Sequence, residues 1–463
     1  MKIDPVKIPK SIIYFSNITL VFLIFFSLGL VFLSIFKIYN PPENVSLKFY
    51  ISTIFFGLIL FFLTMFFIKK LNAFQKANIS LVIFVLFTML YAFEIYLMFN
   101  IKEDHSKIRQ KLAQQKNITF DTRSFSQVLD KLKTTGYERV YPNILPSELY
   151  SSEYFSKFVK EKKNKQFLPL SSISNSNTIL QNQSGYYPII TTDEHGFNNP
   201  KGLYKSNFLD VILIGDSFTE GNGVNSDKNI QSNLRNKGLN TLSLGKLGNG
   251  PLIEYAILRE YAKPLKPKAV FWMYYSNDIT DLFHELKSPI LKKYLENDSF
   301  SQNLISKQNE IDNVLIDFTK FHYLLTKDQI QNTKKNKDIT AIFKLGNLRK
   351  MINLKPQLES SPEFEKILIK SKKLTSSWGG KFYFVYLPPF LKNPKDINKY
   401  DMYREYVLDV AERLNIPIID LYEEIYQKHP DPLSLFPLRY FGNNNEVGYN
   451  FIAKKINKIL IND

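Results

Sequence analysis

The chain has 463 residues and no cysteine, which excludes disulfides, thiol catalysis and thiolate metal sites together. Its formal charge is +17, from 60 Lys and Arg against 43 Asp and Glu. The lysines are scattered, with only short clusters such as 334–337, and no basic stripe interleaved with aromatics points to nucleic acid.

In chain order, residues 11–36 and 49–68 carry no charged side chain and residues 79–101 carry one acid, Glu94. Each run reaches the roughly 20 residues that cross a bilayer core, so residues 1–101 read as a three-span membrane anchor. Lys2, Lys7 and Lys10 precede the first run, and Lys69, Lys70 and Lys76 separate the second from the third. The positive-inside rule places both segments in the cytoplasm and everything after residue 101 outside it. Glu94, close to the end of its run, reads as a carboxyl at the outer interface in preference to a polar path or a partner contact.

Residues 102–207 are polar and irregular, with a Ser- and Asn-rich patch at 171–184, and read as a linker and cap region that is partly helical near 124–134. From residue 208 onward, short apolar runs alternate with amphipathic ones. The predicted strands are 211–214, 240–244, 269–275, 382–387 and 416–419; the predicted helices are 253–262, 400–414 and 447–461. Strands separated by helices make an α/β fold with a parallel sheet and right-handed crossovers. The stretch at about 280–375 is too long for a crossover and predicts a helical insertion.

Three loops at strand ends carry the chemistry. VILIGDSFTEG, residues 211–221, leaves Ser217 where a buried strand turns through glycine, at the sheet edge where ligands collect. SLGKLGNGPLIEY, residues 243–255, offers Gly245, Gly248 and Gly250, whose amides no side chain shields from an oxyanion. YYSND, residues 274–278, adds the side-chain amide of Asn277. Each loop alone reads equally as a turn; adjacent strand ends in one sheet bring all three to one point.

In these blocks the region from Phe208 to the carboxyl terminus resembles the SGNH (GDSL-like) hydrolase superfamily of esterases, lipases and carbohydrate O-acyltransferase-type domains. The resemblance implies a flavodoxin-like three-layer α/β/α domain over residues 208–463, with a five-stranded parallel sheet. It implies Ser217 as nucleophile, Gly248 and Asn277 as oxyanion donors, an acyl ester or an acylated glycan or lipid as substrate, and no cofactor. The family's final block, Asp-x-x-His, falls on RYFGNNNEVGYNFIAKKI, residues 439–456, where Tyr440 stands in the place of the aspartate and Asn443 in that of the histidine. An amide is not a useful base near neutral pH.

Substitutes for the missing base are few. His195 and His429 are the main candidates, His284 follows Asn277 on a predicted helix, His105 and His322 have no suggestive setting, and Asp278 and Glu446 read as turn and helix-start acids. The histidines are dispersed, so no metal is expected. Two functions fit: a membrane-anchored SGNH-type ester hydrolase or acyltransferase on the outer side of a bacterial cytoplasmic membrane, or a pseudoenzyme whose pocket binds an acylated glycan or a membrane partner.

Overall fold

A computed structural model describes residues 8–39, 47–100, 105–151, 167–206, 208–333, 342, 345–351, 361–392, 397 and 401–462. The lysine cluster at 334–337 and the side chain of His322 lie outside the described residues. The chain divides into two compact units, one of residues 1–103 and 332–359, the other of residues 104–331 and 360–463.

The first unit contains α1 (Lys10–Tyr39), α2 (Leu47–Lys70) and α3 (Ala73–Asn100), three helices long and apolar enough to cross a membrane. Apolar side chains such as Phe25, Phe62 and Met89 face outward, whereas Ser16, Ser27 and Ser80 turn inward. The Ser80 hydroxyl donates to the Ser16 carbonyl at 3.2 Å. Glu94 is engaged within the same unit. It is buried, and its carboxylate accepts the backbone N–H of Asn347 (2.8 Å), the Asn347 side-chain amide (2.9 Å) and the backbone N–H of Leu348 (2.7 Å). Those residues open the short helix α13 (Gly346–Met351), so the acid is a partner contact within its own unit. A carboxylate in an apolar bundle is tolerated when its lone pairs are filled this way.

The second unit is built on a five-stranded parallel sheet of β3 (Val211–Gly215), β4 (Thr241–Ser243), β5 (Ala269–Tyr275), β6 (Lys381–Leu387) and β7 (Ile418–Asp420), in spatial order β4-β3-β5-β6-β7. All five lie where the apolar runs predict. β3 is buried along its whole length because a parallel strand is covered on both faces, and its Val-Ile-Leu-Ile run meets that demand. The chain steps from β3 to β4 on one side and then crosses back over β3 to β5. Right-handed crossovers therefore put α8 (Ile230–Arg235) and α9 (Pro251–Ile257) on opposite faces, giving the three-layer flavodoxin-like arrangement. α8 packs against the final helix α16 (Glu446–Asn462), and α9 packs on β3 and against α14 (Pro362–Ser376). α15 (Arg404–Arg413) joins β6 to β7.

Between β5 and β6 the described residues form several helices. α10 (Asp278–Glu285), α11 (Pro289–Glu296) and α12 (Gln308–Thr333) follow β5, and α14 leads into β6. Residues 104–206 contribute α4 (His105–Gln115), α5 (Phe125–Thr134), α6 (Pro146–Ser151) and an antiparallel pair, β1 (Asn177–Ile179) with β2 (Ile189–Thr191). α5 begins at a capping box in which Ser124 and Gln127 exchange side-chain and backbone bonds. Its apolar face, Val128, Leu129 and Leu132, closes over Val140 and Ile179 as a small core of its own.

Candidate active site

The strand order fixes where a ligand can sit. In an open parallel sheet the crevice forms where the direction of strand addition reverses, here at the carboxyl ends of β3 and β5. Ser217 lies two residues past the end of β3 and Asn277 two past the end of β5. The loop after β4 lies on the other side of β3, tied to it where the Lys246 amide donates to the Gly215 carbonyl at 3.1 Å. Gly215 itself must be glycine: a Cβ there would come within 2.2 Å of Thr219 Oγ1 and 2.9 Å of the Met273 carbonyl oxygen.

Ser217 opens α7 (Ser217–Glu220) and is 7% exposed. Asp216 is the N-cap of that turn, accepting the Phe218 backbone N–H at 2.9 Å with one carboxylate oxygen. The other oxygen lies 3.2 Å from the Ser217 hydroxyl, which donates to it. The hydroxyl's second partner is Asn443, whose Nδ2 donates to Ser217 Oγ at 2.8 Å. Asn443 is therefore beside the serine, where the resemblance places the base, but it presents an N–H rather than a lone pair. Gln183 fixes that orientation by donating from Nε2 to Asn443 Oδ1 (2.7 Å) and accepting the Asn443 backbone N–H at Oε1 (2.8 Å). Asn222 Nδ2 approaches the same Oδ1 at 3.4 Å.

Burial pushes the Asp216 carboxyl up to about 7; the Asp281 charge adds to the rise, and hydrogen bonds from Phe218 and Ser217 oppose it. Acids crowd this side of the sheet. Burial raises Asp281 to about 6, and holds Glu254 on α9 and Asp278 on α10 well above the usual carboxylate range. Glu285, also on α10, accepts the backbone N–H groups of Gly250 (2.7 Å) and Leu252 (2.8 Å), capping the start of α9.

Gly248 and Asn277 stand at the flanking strand ends, and among the described residues no hydrogen bond joins either to Ser217. Gly248 has φ +75°, and a Cβ would come within 2.8 Å of Ser147 Oγ. The Asn277 side-chain amide donates to Asp281 Oδ2, which leaves its second N–H uncommitted among the described residues. The Gly248 loop is held by a buried ion pair: Lys246 Nζ meets Glu220 Oε1 at 2.7 Å, and the Leu247 amide donates to Glu220 Oε2 at 3.0 Å. Asn143 joins both charges, accepting from Lys246 and donating to Glu220 at 2.9 Å.

The substitute histidines are elsewhere. The His195 ring meets Gln308 Oε1 at 3.1 Å and packs edge-on to Tyr204. His429 Nδ1 accepts the Asp431 backbone N–H at 3.1 Å. His284 is exposed on α10, and the side chain of Glu446, the first residue of α16, is exposed too. Asp278 accepts the Tyr275 amide at 2.9 Å, as a turn acid would. His105 has the setting that the sequence did not reveal: its Nδ1 lies 2.9 Å from the Tyr440 hydroxyl, and its ring stacks on Phe441. Arg109, one turn on, donates to the Phe441 carbonyl at 2.9 Å. Gln183 and His105, neighbours of the final block, and Asp216, a neighbour of Ser217, are thus the residues to which sequence reasoning gave no role.

A cavity of about 770 Å³ opens beside this cluster, with Phe125, Leu129, Ile144, Leu180 and Leu247 among its apolar lining and Gln181 and Asn222 on its polar wall.

No family model matches the chain, and no curated protein does. Among solved structures, the chain is similar to a member of the lipolytic protein G-D-S-L family from Veillonella parvula DSM 2008, with 16% identity over 54% of this chain and 96% of that one, at a TM-score of 0.29. It is similar to the lipase/acylhydrolase from Enterococcus faecalis, with 13% identity over 54% and 94% of the two chains, at a TM-score of 0.31. An acetylxylan esterase from Geobacillus stearothermophilus is similar at 14% identity over 54% and 94%, at a TM-score of 0.31.

Proposed function

We propose that the chain is a membrane-anchored serine ester hydrolase or O-acyltransferase acting on an acyl ester of a cell-envelope glycan or lipid. The observation that carries this reading is the hydroxyl of Ser217, set at the reversal point of the sheet and held between an N–H donor, Asn443, and a carboxylate, Asp216. Ser217 attacks the acyl carbon; the amides of Ser217 and Gly248 and the side chain of Asn277 receive the oxyanion. The apolar cavity beside Asn222 and Leu247 suits the apolar part of such a substrate, being within the usual range of about 300–1,000 Å³ for ligand pockets. The three helices long and apolar enough to cross a membrane support an anchor in a bacterial cytoplasmic membrane, and the lysine bias supports a catalytic unit on its outer side.

The test is hydrolysis of p-nitrophenyl acetate by the full chain in detergent, with and without Ser217→Ala. A Ser217-dependent rate is the expected result, and equal rates overturn the reading.

A second reading has an observation of its own. Asn443 occupies the base position as a fixed donor, which suits a pocket that binds an acylated glycan or a membrane partner without turnover. Asn443→His separates the two: activity that appears only in this variant identifies an intact pocket without its base.

A further inference from the structure

We propose that Asp216, the residue before the nucleophile, is the general base of this site; the proposal rests on the ester-cleaving reading above. A serine hydroxyl has one proton to give and two lone pairs. Asn443 can only donate to it, because Gln183 holds the amide by two bonds that occupy Oδ1 and the backbone N–H. The proton therefore points to the remaining partner, Asp216 Oδ2, at 3.2 Å. That distance is within the range of a general base, whose hydrogen bond tightens as substrate binds.

The residues around Asp216 keep it suited to the task. Its other oxygen is spent on the Phe218 amide, so the carboxylate is fixed in orientation. The titratable groups that face it are Asp281 and Asp278 of α10, Glu254 of α9, Tyr275 of β5 and Tyr449 of α16. All are acids or phenols, and among them no cation stabilises the carboxylate. Burial among them raises its proton affinity toward that of an imidazole, which is the property the missing histidine would have supplied.

The steps balance with these groups alone. As Ser217 Oγ bonds to the acyl carbon, its O–H breaks, the proton moves to Asp216 Oδ2 and the carbonyl electron pair moves onto oxygen. When the tetrahedral species collapses, the bond to the alkoxide breaks and the alkoxide takes the proton from Asp216. Water, or a sugar hydroxyl in acyl transfer, then gives its proton to Asp216 and attacks the acyl carbon. Ser217 Oγ leaves and recovers the proton.

The experiment compares pH–rate profiles of p-nitrophenyl acetate hydrolysis by the full chain in detergent: native, Ser217→Ala, Asp216→Asn and His105→Ala. Asparagine keeps an acceptor for the Phe218 amide but cannot take a proton. The expected result is a native kcat/KM that rises through one midpoint near 7 and falls about 10²–10⁴-fold in Asp216→Asn, with the limb lost. Asp216→Asn within threefold of native, or a limb that disappears in His105→Ala and persists in Asp216→Asn, overturns the proposal and leaves the esterase reading standing. A native rate equal to that of Ser217→Ala overturns both. Should Asp216→Asn not fold, phosphonylation of Ser217 in the native chain by a fluorophosphonate is followed against pH: a rate rising through the same midpoint supports the proposal, and a flat profile overturns it.

Discussion

Gln183 grips Asn443 at two points, donating to its side-chain oxygen at 2.7 Å and accepting its backbone N–H at 2.8 Å. The consequence is that the amide of Asn443 cannot flip: its nitrogen, not its oxygen, faces Ser217. Gln183→Leu removes both bonds and leaves buried polar groups of Asn443 short of partners. We expect a loss of about 1–3 kcal/mol in stability. A freed amide can turn its oxygen to Ser217 and draw the hydroxyl away from Asp216. The Ser217-dependent rate should then drop by about 10²-fold, in kcat more than in KM, measured with p-nitrophenyl acetate.

These relationships mark where the sequence stops being readable. β3 and β6 are continuous apolar runs rich in β-branched or aromatic residues, and each can be placed because only a strand buried on both faces calls for such a run. The capping box at Ser124 is equally local. Asn443 could be located by its spacing from the final helix. Gln183 could not, because it is 260 residues away, in a Ser- and Asn-rich stretch whose composition reads as linker. β1 and β2 escape for a related reason: three-residue strands carry no measurable alternation. The acid before the serine is visible in the motif, but its burial comes from α9, α10 and α16 closing over it, and no local pattern encodes that.

The ion pair of Lys246 and Glu220 is 1% and 0% exposed. It links the turn that carries the nucleophile to the loop that carries Gly248. Lys246→Met leaves Glu220 buried with, among the described residues, Asn143 and the Leu247 amide to balance its charge. Breaking such a pair from one side costs about 3–5 kcal/mol. Trp272 and Trp378 are the chain's two tryptophans, and both lie in the second unit, so thermal unfolding followed by their fluorescence reads this unit. A lower Tm for Lys246→Met is expected, with much of the loss recovered in Lys246→Met combined with Glu220→Gln. A double variant no more stable than the single one contradicts the electrostatic account.

Stability should fall as pH rises. Burial raises Asp193 and Asp216 to about 7 and Asp281 to about 6, above the carboxylate range of an unfolded chain near 4. Between those limits the folded state binds more protons than the unfolded one. The contribution is complete below pH 4 and is lost as pH climbs through 6 and 7. The tryptophan-monitored Tm at pH 5.5 should therefore exceed that at pH 8.5, and Asp193→Asn should reduce the difference. A Tm that increases across this window is the contrary result.

In the unit of three apolar helices, Glu94 tests whether a buried acid holds residues 346–351 in place. Its three acceptor bonds go to Asn347 and Leu348, two of them to backbone N–H groups that no side-chain substitution removes. The native chain has no cysteine, so an Asn347→Cys variant carries a single thiol whose maleimide labelling reports exposure of α13. Hydrogen bonds to a charged acceptor contribute about 1.5–3 kcal/mol each. Losing them by Glu94→Leu should raise the population of the released segment, and with it the labelling rate, by about tenfold or more. Glu94→Gln keeps one acceptor oxygen and should fall between the two. Identical labelling in all three backgrounds would mean that apolar packing against α3, not the carboxylate, seats the segment.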